Sequence, residues 1–345
     1  MPSCTRWSCE GFVVAVLAGM ALGGMTDAAA SELVEHRTVF AFTDREITES
    51  SGLVDGGPLL FTVNDSGDGP VVYAVDKASG NTVAVTTYSS ESVADVEALA
   101  PGPGGVLWVG DIGDNNRNRD SIDVYQVRGL GAATSGDKQV DAAKFALVYP
   151  DSPHDAETLL VHPDTGRLYV VTKEITGGSV YAAPRTLDEG STNRLRQVGQ
   201  VPGLVTDGSF RPDGEQVMLR SYGGAAVLSF PGLREVGSMQ LPPQRQGEGL
   251  AIGKSGKIYL STEGVYSKVL QILLPPALSR ALGSPAPETT LPPSSEQSRT
   301  RESQDAVGYS SDDWGGLWVA AGVLLVTVAG WLWLTFFRRR GRRIG

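Results

Sequence analysis

The sequence predicts an all-β fold, a five-bladed β-propeller, and three observations predict it. Short β-branched and aromatic runs alternate with Gly, Asp, Asn and Pro turns between residues 38 and 275, with hardly a helical period. Five segments can be laid over one another: SSGLV at 50, VEALA at 96, AETLL at 156, TDGSF at 206 and GEGLA at 247. The last repeat lacks a fourth strand while a spare strand, RTVFAFT at 37–43, precedes the first. A circular array closes when an N-terminal strand completes the final blade, leaving no long free edge.

Each of the five segments is followed, 10 to 12 residues on, by the centre of a second strand: LLFTVND, VLWVGDI, RLYVVTK, QVMLRSY and KIYLSTE. Third strands read VVYAVD, IDVYQV, SVYAAP, AAVLSF and KVLQIL. Fourth strands read TVAVTTY, KFALVYP, LRQVGQV and EVGSMQL. The second residues of the first strands, Ser51, Glu97, Glu157, Asp207 and Glu248, are spaced by 46, 60, 50 and 41 residues. The long connection between residues 127 and 156 leaves a six-bladed alternative open.

Both ends of the 345-residue chain differ from this middle. Arg6, the apolar run Phe12 to Leu22 and Ala28-Ala29-Ala30 form a signal-peptide pattern over residues 1–30. The propeller is expected over 31–275, followed by a Pro- and Ser-rich stalk over 276–313 whose composition cannot offset its ordering entropy. Leu317 to Phe337 is an uncharged stretch long enough to cross a bilayer, and Trp314, Trp318, Trp331 and Trp333 lie near its ends. The transmembrane helix is placed at 314–337 and the basic tail RRRGRR within 338–345. Arginines of this kind stay on the cytoplasmic side, so the expected protein is single-pass in the cell membrane, with its N-terminal domain extracellular.

Cys4 and Cys9 both fall in the expected signal, which leaves no cysteine nucleophile or Cys-ligated zinc in the mature chain. The net charge is −10; setting aside the five tail arginines and the net −1 of residues 1–30 leaves −14 between residues 31 and 337. Such a surface repels nucleic acid and favours cations or basic partners. The domain is expected to be a monomer that meets a small ligand or a cell-envelope component.

In a propeller the starts of the first strands and the ends of the second strands gather at one mouth. The first strands bring Glu97, Glu157, Asp207 and Glu248, and the second-strand ends add Asn64, Asp65, Asp111, Lys173, Glu174, Arg220 and Glu263. Converging carboxylates raise one another's pKa and call for protons, cationic partners or a metal; an all-oxygen set suits Ca²⁺. The expected metal ligands are Glu97, Asp111, Asp114, Glu157, Asp207 and Glu248, with Asn64, Asp65, Lys173, Arg220 and Glu263 contacting a ligand. The same carboxylates can instead lock blades together by accepting backbone hydrogen bonds.

The stretch VGDIGDNNRNRD, residues 109–120, starts like a calcium loop, but Arg119 stands where an EF-hand needs Gly and Tyr125 where it needs Glu. It reads either as a calcium-contacting propeller loop or as an Asx-rich turn without metal. NDSGDG at 64–69 carries the same two readings. Of the three histidines only His154 lies near the expected mouth, as a general base or as a turn residue; Lys173 and Arg220 complete the catalytic candidates.

NDSG, DVEALA, VGDIGDN, HDAETLLVHPDTGRLYVVTK and QGEGLAI, in this order, resemble the extracytoplasmic β-propeller proteins of high-GC Gram-positive bacteria, loosely grouped with phytase-like and esterase-like propellers. The resemblance covers residues 46–265. Phytase-like chemistry would have Asp111, Glu97, Glu157, Asp207 and Glu248 hold Ca²⁺, Lys173 and Arg220 clamp a phosphate, and water attack phosphorus. The paired-aspartate opening strand of such phytases is missing here, and only two cations meet the substrate. Two functions therefore remain: cation-dependent binding of a ligand or envelope partner, and metal-dependent hydrolysis of phosphate or carboxyl esters at the same mouth.

Overall fold

The computed structural model describes residues 33–283 other than 66, 91 and 132. Twenty-two strands form five sheets. β1 (His36–Ala41) comes first. Blade one follows as β2 (Ser50–Asp55), β3 (Leu59–Asn64), β4 (Val71–Asp76) and β5 (Thr82–Tyr88). Blade two holds β6 (Val96–Gly102), β7 (Val106–Asp111), β8 (Ile122–Val127) and β10 (Ala142–Val148), with the short β9 (Lys138–Val140) between the last two. Blade three is β11 (Ala156–Val161), β12 (Leu168–Thr172), β13 (Gly178–Ala182) and β15 (Arg196–Val201), with β14 (Asn193–Arg194) intervening. β16 (Asp207–Phe210), β17 (Gln216–Arg220), β18 (Gly224–Ser229) and β19 (Glu235–Gln240) make blade four. Blade five is β20 (Leu250–Ile252), β21 (Ile258–Leu260), β22 (Lys268–Ile272) and, returning from the start, β1.

The innermost strands β2, β6, β11, β16 and β20 touch in a closed ring. Closure rests on β1, which pairs antiparallel with β22 from His36 opposite Ile272 to Ala41 opposite Lys268. The 127–156 connection holds no further blade. Its β10 is the fourth strand of blade two, while β9 lies parallel on β5 of blade one. β14 repeats the device, lying parallel on β10 before blade three receives β15. Leu33 does the same on Gln240 of β19 just before β1. In three blades, then, the residues ahead of the fourth strand cover the outer edge of the blade before, a parallel pairing that alternation along the sequence does not reveal.

Five hydrophobic clusters fill the five seams between blades. Because successive strand residues point to opposite faces, one strand feeds two seams. On β7, Leu107 and Val109 enter the seam with blade one, while Val106 and Trp108 enter the seam with blade three. This is why the second strands read as continuous apolar runs.

Past β22 the expected stalk begins differently. Pro276–Ala281 form a short helix, α1, whose Leu278 is buried with Leu282 in the seam cluster of blades four and five. Among the described residues no helix is long and apolar enough to cross a membrane. The expected signal at 1–30, the rest of the stalk, the span at 314–337 and the tail at 338–345 lie outside the described residues.

Phe42 follows β1, is 1% exposed, and meets Phe40 edge to face at 5.5 Å in the closing seam of blades five and one. Phe42→Ala should cost about 3–5 kcal/mol in urea unfolding, the range for deleting a buried aromatic. A loss under about 1 kcal/mol would show that closure does not limit stability.

Candidate functional site

Glu97 and Glu157 owe their direction to an extra residue in the first strand. Val96 pairs with Asp111 and Ala98 with Gly110, so Glu97 has no partner across the ladder. Ala156 pairs with Thr172 and Thr158 with Val171, which sets Glu157 apart in the same way. In blade five, Ser261 N donates to Gly249 O and Glu263 N to Gln246 O, leaving two residues, one of them Glu248, opposite Thr262. Such bulges turn a side chain out of the ladder and end the pairing at the rim.

The ends of the second strands divide by alternation. In blades one and two the last residue of the second strand, and in blade five Thr262 two residues past β21, binds the segment leading into its own blade. Asn64 Oδ1 accepts from Thr48 N and Glu49 N, both at 3.1 Å, and its Nδ2 donates to Glu46 O and Asp68 Oδ2. Asp111 accepts from Ala94 N at 3.0 Å and Asp95 N at 2.9 Å. Thr262 Oγ1 accepts from Gln246 N and donates to Gln246 O. One residue further on, Asp65, Lys173 and Glu263 each donate their own N–H to the carbonyl of the leading segment, at Glu49, Asp155 and Gln246. Their side chains face the mouth. In blade two this backbone role falls to Gly113, bonded to Asp95 O at 3.1 Å. A Cβ at Gly113 would collide with the Asp95 carboxylate and with Glu97 Oε1, so glycine leaves room for two acids.

Two groups of three carboxylates result, and they share Asp65. One is Asp65, Glu248 and Glu263; the other is Asp65, Asp95 and Glu97, each group offering oxygens within 4.8 Å of one another. They draw on blades one, two and five. Glu248 is 4% exposed, and its Oε2 has no hydrogen-bond partner. Across the mouth, Lys173 Nζ pairs with Glu157 Oε1 and lies 5.8 Å from the Tyr222 ring centroid; Glu157 Oε2 is also buried without a partner.

Burial and mutual repulsion raise Glu97, Glu248, Asp95 and Glu49 above the usual carboxylate range. Glu97 is pushed up to about 10, by burial first and then by Asp65, Asp95 and Glu248, with Lys173 opposing. Glu248 rises to about 8 through burial, Glu263 and Asp65. Asp95 rises to about 6 through burial, Asp65 and Asp155. Burial also raises Glu49, beside Asp65 and Glu263.

The other residues expected at the mouth have different partners. Asp207, 1% exposed, accepts from Gly208 N at 2.7 Å and Leu250 N at 2.6 Å, which ties blade four to blade five. Arg220 is equally buried: Nη1 donates to Gly249 O and Ser261 O, and Nη2 to Gln244 Oε1. Its burial lowers it to about 10 against the pull of Asp207 and Glu248. Asp111 also holds Arg119 Nη1 at 2.8 Å, and Asp114 accepts from Asn118 N and Arg119 N. The loop at 109–120 is therefore an Asx-type turn closed by its own arginine, and both oxygens of Asp111 and of Asp114 accept N–H bonds. In the counterpart loop Asp68 accepts from Asn64, Tyr73 and Gly69. His154 stands at the seam of blades two and three, with Nε2 3.0 Å from both Asp151 Oδ2 and the Tyr181 hydroxyl, Nδ1 3.5 Å from Glu174 Oε1, and its ring against Tyr149. Ser51, where the acid is missing from blade one, donates to Glu97 O at 2.7 Å across the seam.

The single ring expected at the mouth is thus resolved into braces and an off-centre acidic cluster. Asp95 was not among the expected residues. Its signal was an acid directly ahead of a first strand, a position that Glu49 and Asp155 repeat in blades one and three.

Fold and site together define a five-bladed propeller with an acidic cluster at one end of its axis. No protein-family model matches the chain, and no curated protein matches it.

In chelator, stability should fall as pH rises from 6 to 9. Raised carboxyl groups hold protons in the folded state that the unfolded chain has released above about 4.5, so their contribution is complete below that pH and lost as pH passes about 8 for Glu248 and about 10 for Glu97. The slope is at most about 1.4 kcal/mol per pH unit for each retained proton. Urea melts of Glu97→Gln and Glu248→Gln should show a flatter profile than the parent; unchanged profiles would mean that these groups do not titrate there.

Proposed function

We propose that this protein is a membrane-anchored extracellular β-propeller whose acidic mouth binds a divalent cation, calcium by its donor chemistry, and through it a small ligand or a cell-envelope component. The observation that carries the reading is Glu248 Oε2, a buried oxygen without a donor, set among the carboxylates of Asp65 and Glu263. Without a metal, Glu248 avoids the cost of a buried charge by keeping its proton, and a cation can displace that proton and compensate the carboxylate instead. The donors are all hard oxygens, which suit Ca²⁺ or Mg²⁺ more than softer metals, and three or more carboxylates suit calcium's larger coordination number.

Asp65, Glu248 and Glu263 would hold the ion, with Asp95 and Glu97 extending the set on the far side of Asp65. When bound, the cation supplies positive charge that can polarise an oxygen of a ligand. Lys173 adds a fixed positive group at the same mouth, held by Glu157. The anchor is supported by the uncharged stretch from Leu317 to Phe337 and the arginines after it, and the extracellular setting by the signal pattern and by the resemblance to extracytoplasmic propellers.

Calcium should raise the melting temperature of the purified chain saturably; at one hundred times Kd the gain is about 2.7 kcal/mol. Glu248→Gln and Asp65→Asn should abolish the response. Asp111→Asn should lower stability without calcium yet keep the increment, since its oxygens serve the backbone and Arg119. A wild-type protein indifferent to calcium would reject the reading. Calcium-dependent turnover of phosphate or carboxyl esters, lost in Asp65→Asn, would replace binding with hydrolysis.

A further inference from the structure

The axis has a second end. The first strands run away from the acidic mouth, and the ends of all five surround a cavity of about 770 Å³, within the size range of small-molecule sites. Its wall is built from Val54, Leu160, Val161, Phe210 and Ile252. At its rim Gly104 and Gly105 take positive φ, and a Cβ at either position would meet nothing within 4 Å, so no side chain closes the opening there.

The charged groups at this end differ from those of the mouth. Asp55 is the one acidic residue among the described lining, and its Oδ1 accepts from Lys77 Nζ at 2.7 Å and Gly57 N at 2.9 Å. The basic lining residues are Arg211 and Lys254. Arg211 reaches Asp213 through Nε at 3.5 Å, with 12% of its side chain exposed against 41% for Asp213. Lys254 is exposed and forms no ion pair among the described residues. In a chain of net charge −10, an apolar hole edged by the exposed Lys254, with the ion-paired Arg211 beside it, selects for a molecule that is greasy along its length and negative at one end.

We propose that this cavity binds an amphipathic anion, an acyl carboxylate whose tail lies along the apolar wall and whose head meets Lys254 and Arg211. The site is separate from the acidic mouth and does not depend on a cation there.

The test uses the full-length chain with chelator present, so that no response arises from calcium, and follows melting temperature and binding heat on titration with octanoate below its micellar range. Octanoate should bind saturably, while acetate, which lacks the tail, and octylammonium, which reverses the head, should not. Lys254→Glu should leave ligand-free melting unchanged, because the side chain is exposed, and weaken octanoate about tenfold, roughly the worth of one charge contact. Ile252→Phe, which narrows the cavity, should also lose octanoate binding. The proposal is overturned by a wild-type chain without a saturable octanoate response, by octylammonium binding as well as octanoate, or by equal octanoate affinity in Lys254→Glu.

Discussion

Burial of each blade between two neighbours is the constraint from which the other features follow. Five apolar seams hold the domain together, and the closing seam of blades five and one is not complete until β1 has joined β22. A chain that ended its repeats at β22 would expose an unpaired strand edge and the apolar side chains of the closing seam. Joining the two ends of the domain in one sheet removes both liabilities. The short parallel additions of β9, β14 and Leu33 then cover outer edges that the four-stranded plan leaves open.

The same alternation that sends side chains to two seams also sorts the polar residues at the mouth. In blades one and five, past the second strand, one residue turns back to hold the segment leading into its blade and the next faces the axis. Asn64 and Asp65 show the division in adjacent positions: the amide of Asn64 is bound at four points, while Asp65 joins both carboxylate groups. Cross-blade bonds from Ser51, Asp207 and Arg220 fix the frame that brings the acids together. Repulsion among the acids is thus sustained by a scaffold whose own polar groups are mostly satisfied, an arrangement typical of sites built to receive a ligand.

The two ends of the axis differ because each first strand changes character along its length. It enters beside acidic or hydroxyl side chains and leaves through Val54, Pro101, Val161, Phe210 or Ile252. The first strands and the residues that extend them carry the chain far enough for the two ends to sit in different chemical surroundings. One axis therefore carries an acidic mouth and an apolar hollow with the exposed Lys254 at its rim.

The sequence by itself determined the five repeats, the strand that closes them and the location of the mouth, because alternation and repeat spacing are local patterns imposed by backbone geometry. The expected strands agree with the observed ones to within a few residues; TDGSF and GEGLA start one and three residues earlier than β16 and β20. Tertiary structure decided which acids meet. Nothing in the composition distinguishes Glu248, left with an unpartnered oxygen beside Asp65 and Glu263, from Asp207, bound by two backbone N–H groups. Nor does it show that Arg220 is spent on blade five or that Asp95 joins Glu97. Those outcomes depend on bulges, on the one-residue phase at each strand end and on the rotation between neighbouring blades, and all three are set by long-range packing, to which a residue's neighbours in sequence are blind.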